Sequence, residues 1–234
     1  MKVPDLNPAG YREAVLIQNR LRKKLILQTS FDKNNVNIIA GCDNSIIKEK
    51  NLMLAGVILF KFNEAKELVI IEKTFSKGKI NFPYIPGLLS FREIPTLLSA
   101  FKKLKNKPDL IFADGQGYAH PRRMGLASHL GIILNTPTIG VAKSRYIGVF
   151  KEPGKRKGSV TDLVDKDEII GKVFRNRANV KPVFISPGHL VGMNDIINLV
   201  KMVSGKFRIP VPTRIAHIET GKFRMELLNN VKKK

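Results

Sequence analysis

The sequence predicts a mixed α/β sheet in which antiparallel strands come first, parallel strands follow, and helices flank the faces. Three observations predict it. Segments 36–47, 52–62 and 67–75 read as consecutive strands joined by short connections. Helical and strand patterns then alternate as far as residue 144, the order that builds parallel pairing. No internal repeat and no composition break marks a linker in the 234 residues, so one domain covering 1–234 is expected.

The elements follow in order. "YREAVLIQNRLRKKLIL" (11–27) has helical spacing with a basic face. "VNIIAGCDNSII" reads as a strand that runs out at Asp43-Asn44-Ser45, and "NEAKE" is a hairpin-length link between the next two strands. After the Pro-rich "FPYIPG", Phe91, Ile94, Leu97, Leu98, Phe101 and Leu104 recur at helical spacing, with Pro95 predicting a kink or a late start. "PDLIFADGQG" is a short strand ending in an acid and glycines. "PRRMGLASHLGIIL" (121–134) is a helix opened by Pro121, and "TPTIGVAKS" another strand. "KEPGKRKGS" (151–159) is a basic turn, "EIIGKVFR" and "KPVFISPG" are strands, and "MNDIINLVKMV" is a helix. "PTRIAHIETGKFRMELL" follows a Pro-interrupted stretch, and its end is expected to be a helix with a basic tail. Ribonuclease H-like folds have this order, an analogy at the level of fold.

Composition narrows the partner. Hydrophobic residues make up 43%, enough for a core, while 41 Lys+Arg against 19 Asp+Glu give +22. A folded chain so basic attracts polyanions, nucleic acid first and an anionic membrane second. The single cysteine, Cys42, excludes an internal disulfide framework and a zinc knuckle, and its setting suggests packing. The start of the chain lacks the apolar core of a signal peptide, and the most apolar segment, 52–60, is too short to span a bilayer. A cytoplasmic monomer without membrane contact is expected.

Asp43 and Asp114 are placed at strand ends, so neighbouring strands would bring both to one rim. Glu93 shares a helix face with Leu89 and Leu97 and points toward the sheet. Singly, these acids read as turn formers or as a partner for Arg92. As a set they repel one another unless a cation intervenes, and hard oxygen donors favour Mg²⁺ or Mn²⁺. Such a site on a polycation points to phosphodiester chemistry. Lys143 could neutralise charge at the reacting phosphate or simply be solvated. Of the histidines, His129 reads as structural and His189 as a site or turn residue. His120 precedes a predicted helix start suited to an anion. His217 stays ambiguous by pattern.

"PYIPGLLSFRE" (83–93), "DGQGYAHPRRMGLASHLGI" (114–132), "PTIGVAKS" (137–144), "KPVFISPGH" (181–189) and "PTRIAH" (212–217) resemble, in order, the signature blocks of endonuclease V. The resemblance runs from about Asn37 to His217. It implies a ribonuclease H-like fold and Mg²⁺-dependent nicking at deaminated adenine. The cut falls at the second phosphodiester on the 3′ side and leaves 3′-hydroxyl and 5′-phosphate ends. Asp43, Glu93 and Asp114 match the metal-site carboxylates, His217 the active-site histidine, Lys143 the motif lysine and His120 the histidine of the "HPRR" block. Tyr84, with Pro83, Ile85 and Pro86, matches the wedge inserted at the lesion. Gly87, Leu89, Gly115, Gly117 and Gly125 match the pocket for the displaced base. Gln116 departs from the His or Asn expected between Gly115 and Gly117, and Cys42 and Asn44 replace commoner aliphatics beside Asp43.

The resemblance implies DNA repair at deoxyinosine. Inosine-containing RNA is the alternative substrate within the family, because a 2′-hydroxyl must be either accepted or rejected. Another ribonuclease H-like nuclease would need the acids but not the wedge and pocket. A basic binding module would bind in a salt-sensitive way and be indifferent to Mg²⁺ and to loss of Asp43 or Asp114.

Overall fold

The structure is a computed structural model and describes residues 6–232, without the side chains of 230–232. Its centre is one sheet of nine strands in the order β3-β2-β1-β4-β5-β9-β8-β7-β6. β1 (Ile39–Ile47), β2 (Leu52–Phe62) and β3 (Leu68–Lys79) form an antiparallel meander. β4 (Leu110–Asp114) and β5 (Thr138–Ala142) extend it in parallel with β1, each reached through a helix. This is the ribonuclease H-like arrangement of antiparallel then parallel strands, flanked by helices.

Half of a second antiparallel wing was legible: "EIIGKVFR" and "KPVFISPG" were expected as strands and are strands, while its two outer strands were not foreseen. β9 (Val183–His189), β8 (Glu168–Phe174), β7 (Val160–Asp165) and the two-residue β6 (Val149–Phe150) continue the sheet beyond β5. β6 and β7 lie at its edge, and of their residues only Leu163 is fully buried, so they lack the buried apolar alternation that announces a strand.

The two faces carry different helices. α2 (Leu89–Phe101) and α3 (Leu126–Leu134) bury Ile94, Leu97, Phe101 and Leu130 against Ala40, Cys42, Val57, Ile111 and Ala113. On the other face α4 (Ile196–Met202) packs on Ile39, Phe112 and Ile185, and α5 (Val211–Lys232) sets Ala216 on Ile58 and Phe60. α1 (Tyr11–Arg22) stands at the side, with Ala14, Ile17 and Leu21 on Phe82, Leu88, Phe91 and Met124. It ends at Arg22, short of the expected residue 27.

Three further expectations are corrected. β1 does not run out at Asp43, because antiparallel pairing with β2 continues to Ile47↔Leu52. Only its parallel pairing with β4 stops, at Cys42↔Ala113. α2 neither starts late nor breaks at Pro95, which lies inside it; burial of Phe91, Ile94, Leu97 and Leu98 outweighs one missing backbone bond. α3 opens at Leu126, not Pro121, because Arg123 sits at φ 57, outside the right-handed helix. His120 therefore does not precede a helix start. The basic tail falls partly outside the described residues, and no described helix is long and apolar enough to cross a membrane.

Candidate active site

Asp43 and Asp114 are each the residue after the last β1–β4 pair, so both sit where those two strands part. Asp43 has the same strand parity as Gly41, and that parity faces α5. A Cβ at Gly41 would lie 2.1 Å from the Pro212 carbonyl oxygen, and one at Gly56, opposite Asp43, 2.2 Å from Thr220 Oγ1. Glycine at both places lets α5 lie directly on the sheet. His217 sits between those two contacts on α5, and its Nδ1 is 2.9 Å from Asp43 Oδ2.

Ligand atoms of Asp43, Asp114 and His217 all lie within 4.8 Å of one another. Lys143, just past β5, places Nζ 2.5 Å from Asp114 Oδ2. Glu93 reaches the same region from α2 and stands outside that tight set. Its charge is nevertheless felt: burial first, then Asp43 and Asp114, push the Glu93 carboxyl up to about 8. Burial and Asp114 push Asp43 up to about 6, against the His217 hydrogen bond. The Cys42 thiol is raised by burial and by all three acids, which fits packing rather than reactivity.

Carboxylates raised in this way ionise readily only beside a cation. Asp43, Asp114 and Glu93 offer hard oxygen donors and His217 a nitrogen, so the residues fit a divalent metal.

A cavity of about 400 Å³ joins Glu93 and Asp114 to the Pro-rich loop. Glu93, Asp114 and Lys143 line it together with Tyr84, Ile85, Pro86, Gly87, Leu89, Gly115, Gly125 and His120. Gly117 does not line it; Gly117 is packed against the Pro187 carbonyl and donates its N–H to Ser186 Oγ. Tyr84 projects at the rim and is 68% exposed, and Pro83 beside it is also exposed. Gln116 donates to the Ser144 carbonyl at 3.0 Å and so braces the strand ends that carry Asp114 and Lys143.

His120 stands apart from the acid set. Its Nε2 is 3.1 Å from the Gly87 carbonyl, and burial followed by the Arg122 charge lowers its pKa to about 4, so it is neutral. His129 is fully buried against Ser90 and Phe91, as expected of a structural residue. His189 lies away from the cavity and accepts from the Ile26 N–H. Sequence reasoning missed Gly41 and Gly56, although a glycine inside an apolar strand signals close approach of another element. It also missed Gln18, the one polar residue on the buried stripe of α1.

The comparisons with known proteins agree with this geometry. The family model described as Endonuclease V matches residues 19–218. The endonuclease V of Dictyoglomus turgidum is 46% identical over 209 residues, 89% of each chain. The crystal structure of endonuclease V from Streptomyces avermitilis superposes with a TM-score of 0.89 at 36% identity, covering 95% of this chain and 96% of that one. Endonuclease V of Ciona intestinalis, solved in complex with a 24mer DNA containing an inosine followed by a ribo-adenosine, gives 0.82 at 30% identity over 92% and 98%. With the family model matched over residues 19–218 and the fold shared with the solved relatives, the chain belongs to the endonuclease V family of nucleases.

Proposed function

We propose that the protein is a Mg²⁺-dependent endonuclease that recognises deoxyinosine in DNA. It would hydrolyse the second phosphodiester 3′ to the lesion, leaving 3′-hydroxyl and 5′-phosphate ends, in repair of deaminated adenine in the cytoplasm. One observation carries the reading: a single cavity has the exposed Tyr84 tip and three glycines on its walls and the acids Glu93 and Asp114 on the same lining. A flipped base and the backbone a short way 3′ of it therefore find neighbouring places. The inosine-containing DNA bound by the Ciona relative supports the choice of base.

Asp43, Asp114 and Glu93 would hold the cation, with Mn²⁺ an acceptable substitute for Mg²⁺. When bound, it supplies Lewis-acid polarisation and neutralises charge at the phosphate. Asp43 orients the His217 ring through Nδ1, which leaves Nε2 for the substrate or for proton transfer. Lys143 stands beside Asp114, where its ammonium can meet charge developing on the phosphate. The cavity glycines expose backbone N–H and C=O groups that can read O6 and N1–H, the groups distinguishing hypoxanthine from adenine. Tyr84, stiffened by Pro83 and Pro86, would occupy the space the base leaves.

The test is a nicking assay on matched labelled oligonucleotides with inosine or adenine at one position. Cutting should require Mg²⁺ or Mn²⁺ and occur only near inosine. No metal-dependent cut near inosine in DNA or RNA sinks the reading, and equal cutting of the adenine control removes the lesion specificity. A preference for the RNA strand would move the substrate to inosine-containing RNA. Tyr84→Ala should weaken binding to the inosine duplex by about tenfold, the order of one lost base-stacking contact. Normal binding and cutting by that variant would refute the wedge. Lys143→Ala should lower kcat by about 10²-fold or more with little change in binding. Equal losses in both would make Lys143 a simple phosphate contact.

A further inference from the structure

We infer that Gln18 is a positioning residue that locks the Tyr84 loop from behind by holding the Gly87 carbonyl. The inference rests on the wedge reading of Tyr84. Gln18 lies on α1, far in sequence from every signature block, and is fully buried at 0% exposure. Its Nε2 donates to the Gly87 carbonyl at 3.0 Å and to the Met124 carbonyl at 3.2 Å. Its Oε1 accepts from Arg122 Nε at 2.5 Å.

The same Gly87 carbonyl also accepts from Arg122 Nη2 at 2.7 Å. His120 Nδ1 accepts the Arg122 backbone N–H, which leaves the ring proton on Nε2 to donate to Gly87 as well. Three donors from α1 and from the 120–122 turn thus converge on one backbone atom. That atom is where residues 83–86 rejoin the fold. Gly87 is required there: its φ is +81°, and a Cβ would stand 2.7 Å from Arg122 Nη2.

Beyond this anchor the tip is held by Ile85, partly buried on the cluster of Phe82, Leu88 and Met124. Pro83, Tyr84 and Pro86 are exposed, and within 83–86 the Ile85 carbonyl accepts from the Leu88 N–H. A wedge that enters a base stack is pushed back by the stack and needs a fixed base. A Gln in an apolar stripe costs desolvation that a Met or Leu would not, and here all of its polar atoms are spent on the loop and its neighbours. Loosening the base should matter where a stack must be opened and not where none exists.

The experiment compares Gln18→Met with the wild-type full chain on deoxyinosine in duplex and in single-stranded DNA. The duplex kcat/KM should fall by about tenfold, on the scale of a lost buried hydrogen bond. The single-stranded value should hold within about twofold. Equal losses on both substrates, or no loss, overturn the inference, since a merely destabilised protein would not discriminate. Gln18→Glu keeps the acceptor for Arg122 but loses both donors, and should show the same selective loss if Gln18→Met fails to fold. The chain contains no tryptophan, so Tyr84→Trp supplies a single fluorescent reporter on the tip. Its anisotropy without nucleic acid should fall when Gln18→Met or Gln18→Glu is added, and unchanged anisotropy also overturns the inference. If the wild type nicks neither inosine substrate, the proposed function fails, and anisotropy alone decides the role of Gln18.

Discussion

Glu93→Gln is expected to abolish nicking and, in the same protein, to raise the melting temperature of metal-free samples above pH 7. The activity loss follows from removing one oxygen donor where the cation would sit, and should reach about 10³-fold, the scale of losing a central electrostatic group. The stability gain follows from proton linkage. The Glu93 carboxyl is pushed up to about 8 in the folded chain from the usual 4.5. A raised acid favours the folded state fully only at low pH. That stability is lost as pH rises from about 4.5 through 8, because the unfolded chain ionises first. At pH 7 the difference is on the order of 3 kcal/mol. For a chain of this size that corresponds to several degrees. Differential scanning calorimetry in EDTA from pH 5 to 8.5 checks it. The wild type should lose stability across that range, and Glu93→Gln should lose less. Adding Mg²⁺ should restore the wild type more than the variant. A variant no more stable than wild type at pH 8 would mean that Glu93 already has a protein counter-charge.

The second large effect is Gly41→Val. Even the first side-chain carbon would stand 2.1 Å from a backbone oxygen of Pro212, and neither partner is a flexible side-chain end. α5 must move outward, which costs about 1–3 kcal/mol as for other overpacked cores. It also carries His217 away from Asp43. Displacements near 1 Å typically cost about 10²-fold in rate, so nicking should fall at least that far. Gly221→Ala is the control, because α5 leaves open space around Gly221. Alanine there should stabilise the helix by about 0.5–1 kcal/mol without harming activity. Chemical denaturation and the nicking assay on both variants read the contrast. A fully active Gly41→Val would mean that α5 does not need to touch the sheet.

Much of this architecture is local and could be read residue by residue. Asp114 follows four buried apolar residues and ends its strand as expected. Asp43 was identified but its setting was not, because pairing on one side of β1 outlasts pairing on the other, and one strand's pattern does not reveal its neighbours. His217 had no local signal: what defines it is a contact with Asp43, and only the resemblance singled it out. Gln18 and Gly41 were invisible for the same reason, since each is explained by an atom in a distant segment. Arg123 shows the opposite failure. "PRRMG" satisfies the composition of a helix start, but the ion pairs of Arg123 with Asp165 and Glu168 hold it in a left-handed conformation instead.

The Asp43–His217 contact closes across 174 positions of sequence. Its donor arrives on α5, after every strand has been laid down. During synthesis the acids are thus in place before the helix that completes the set, and such long-range docking comes late in folding. A ribosome-bound chain stopped ahead of α5 can collect the sheet yet not His217. On the proposed role of His217, nicking is then expected only once α5 has emerged and docked, so that the growing chain would be silent.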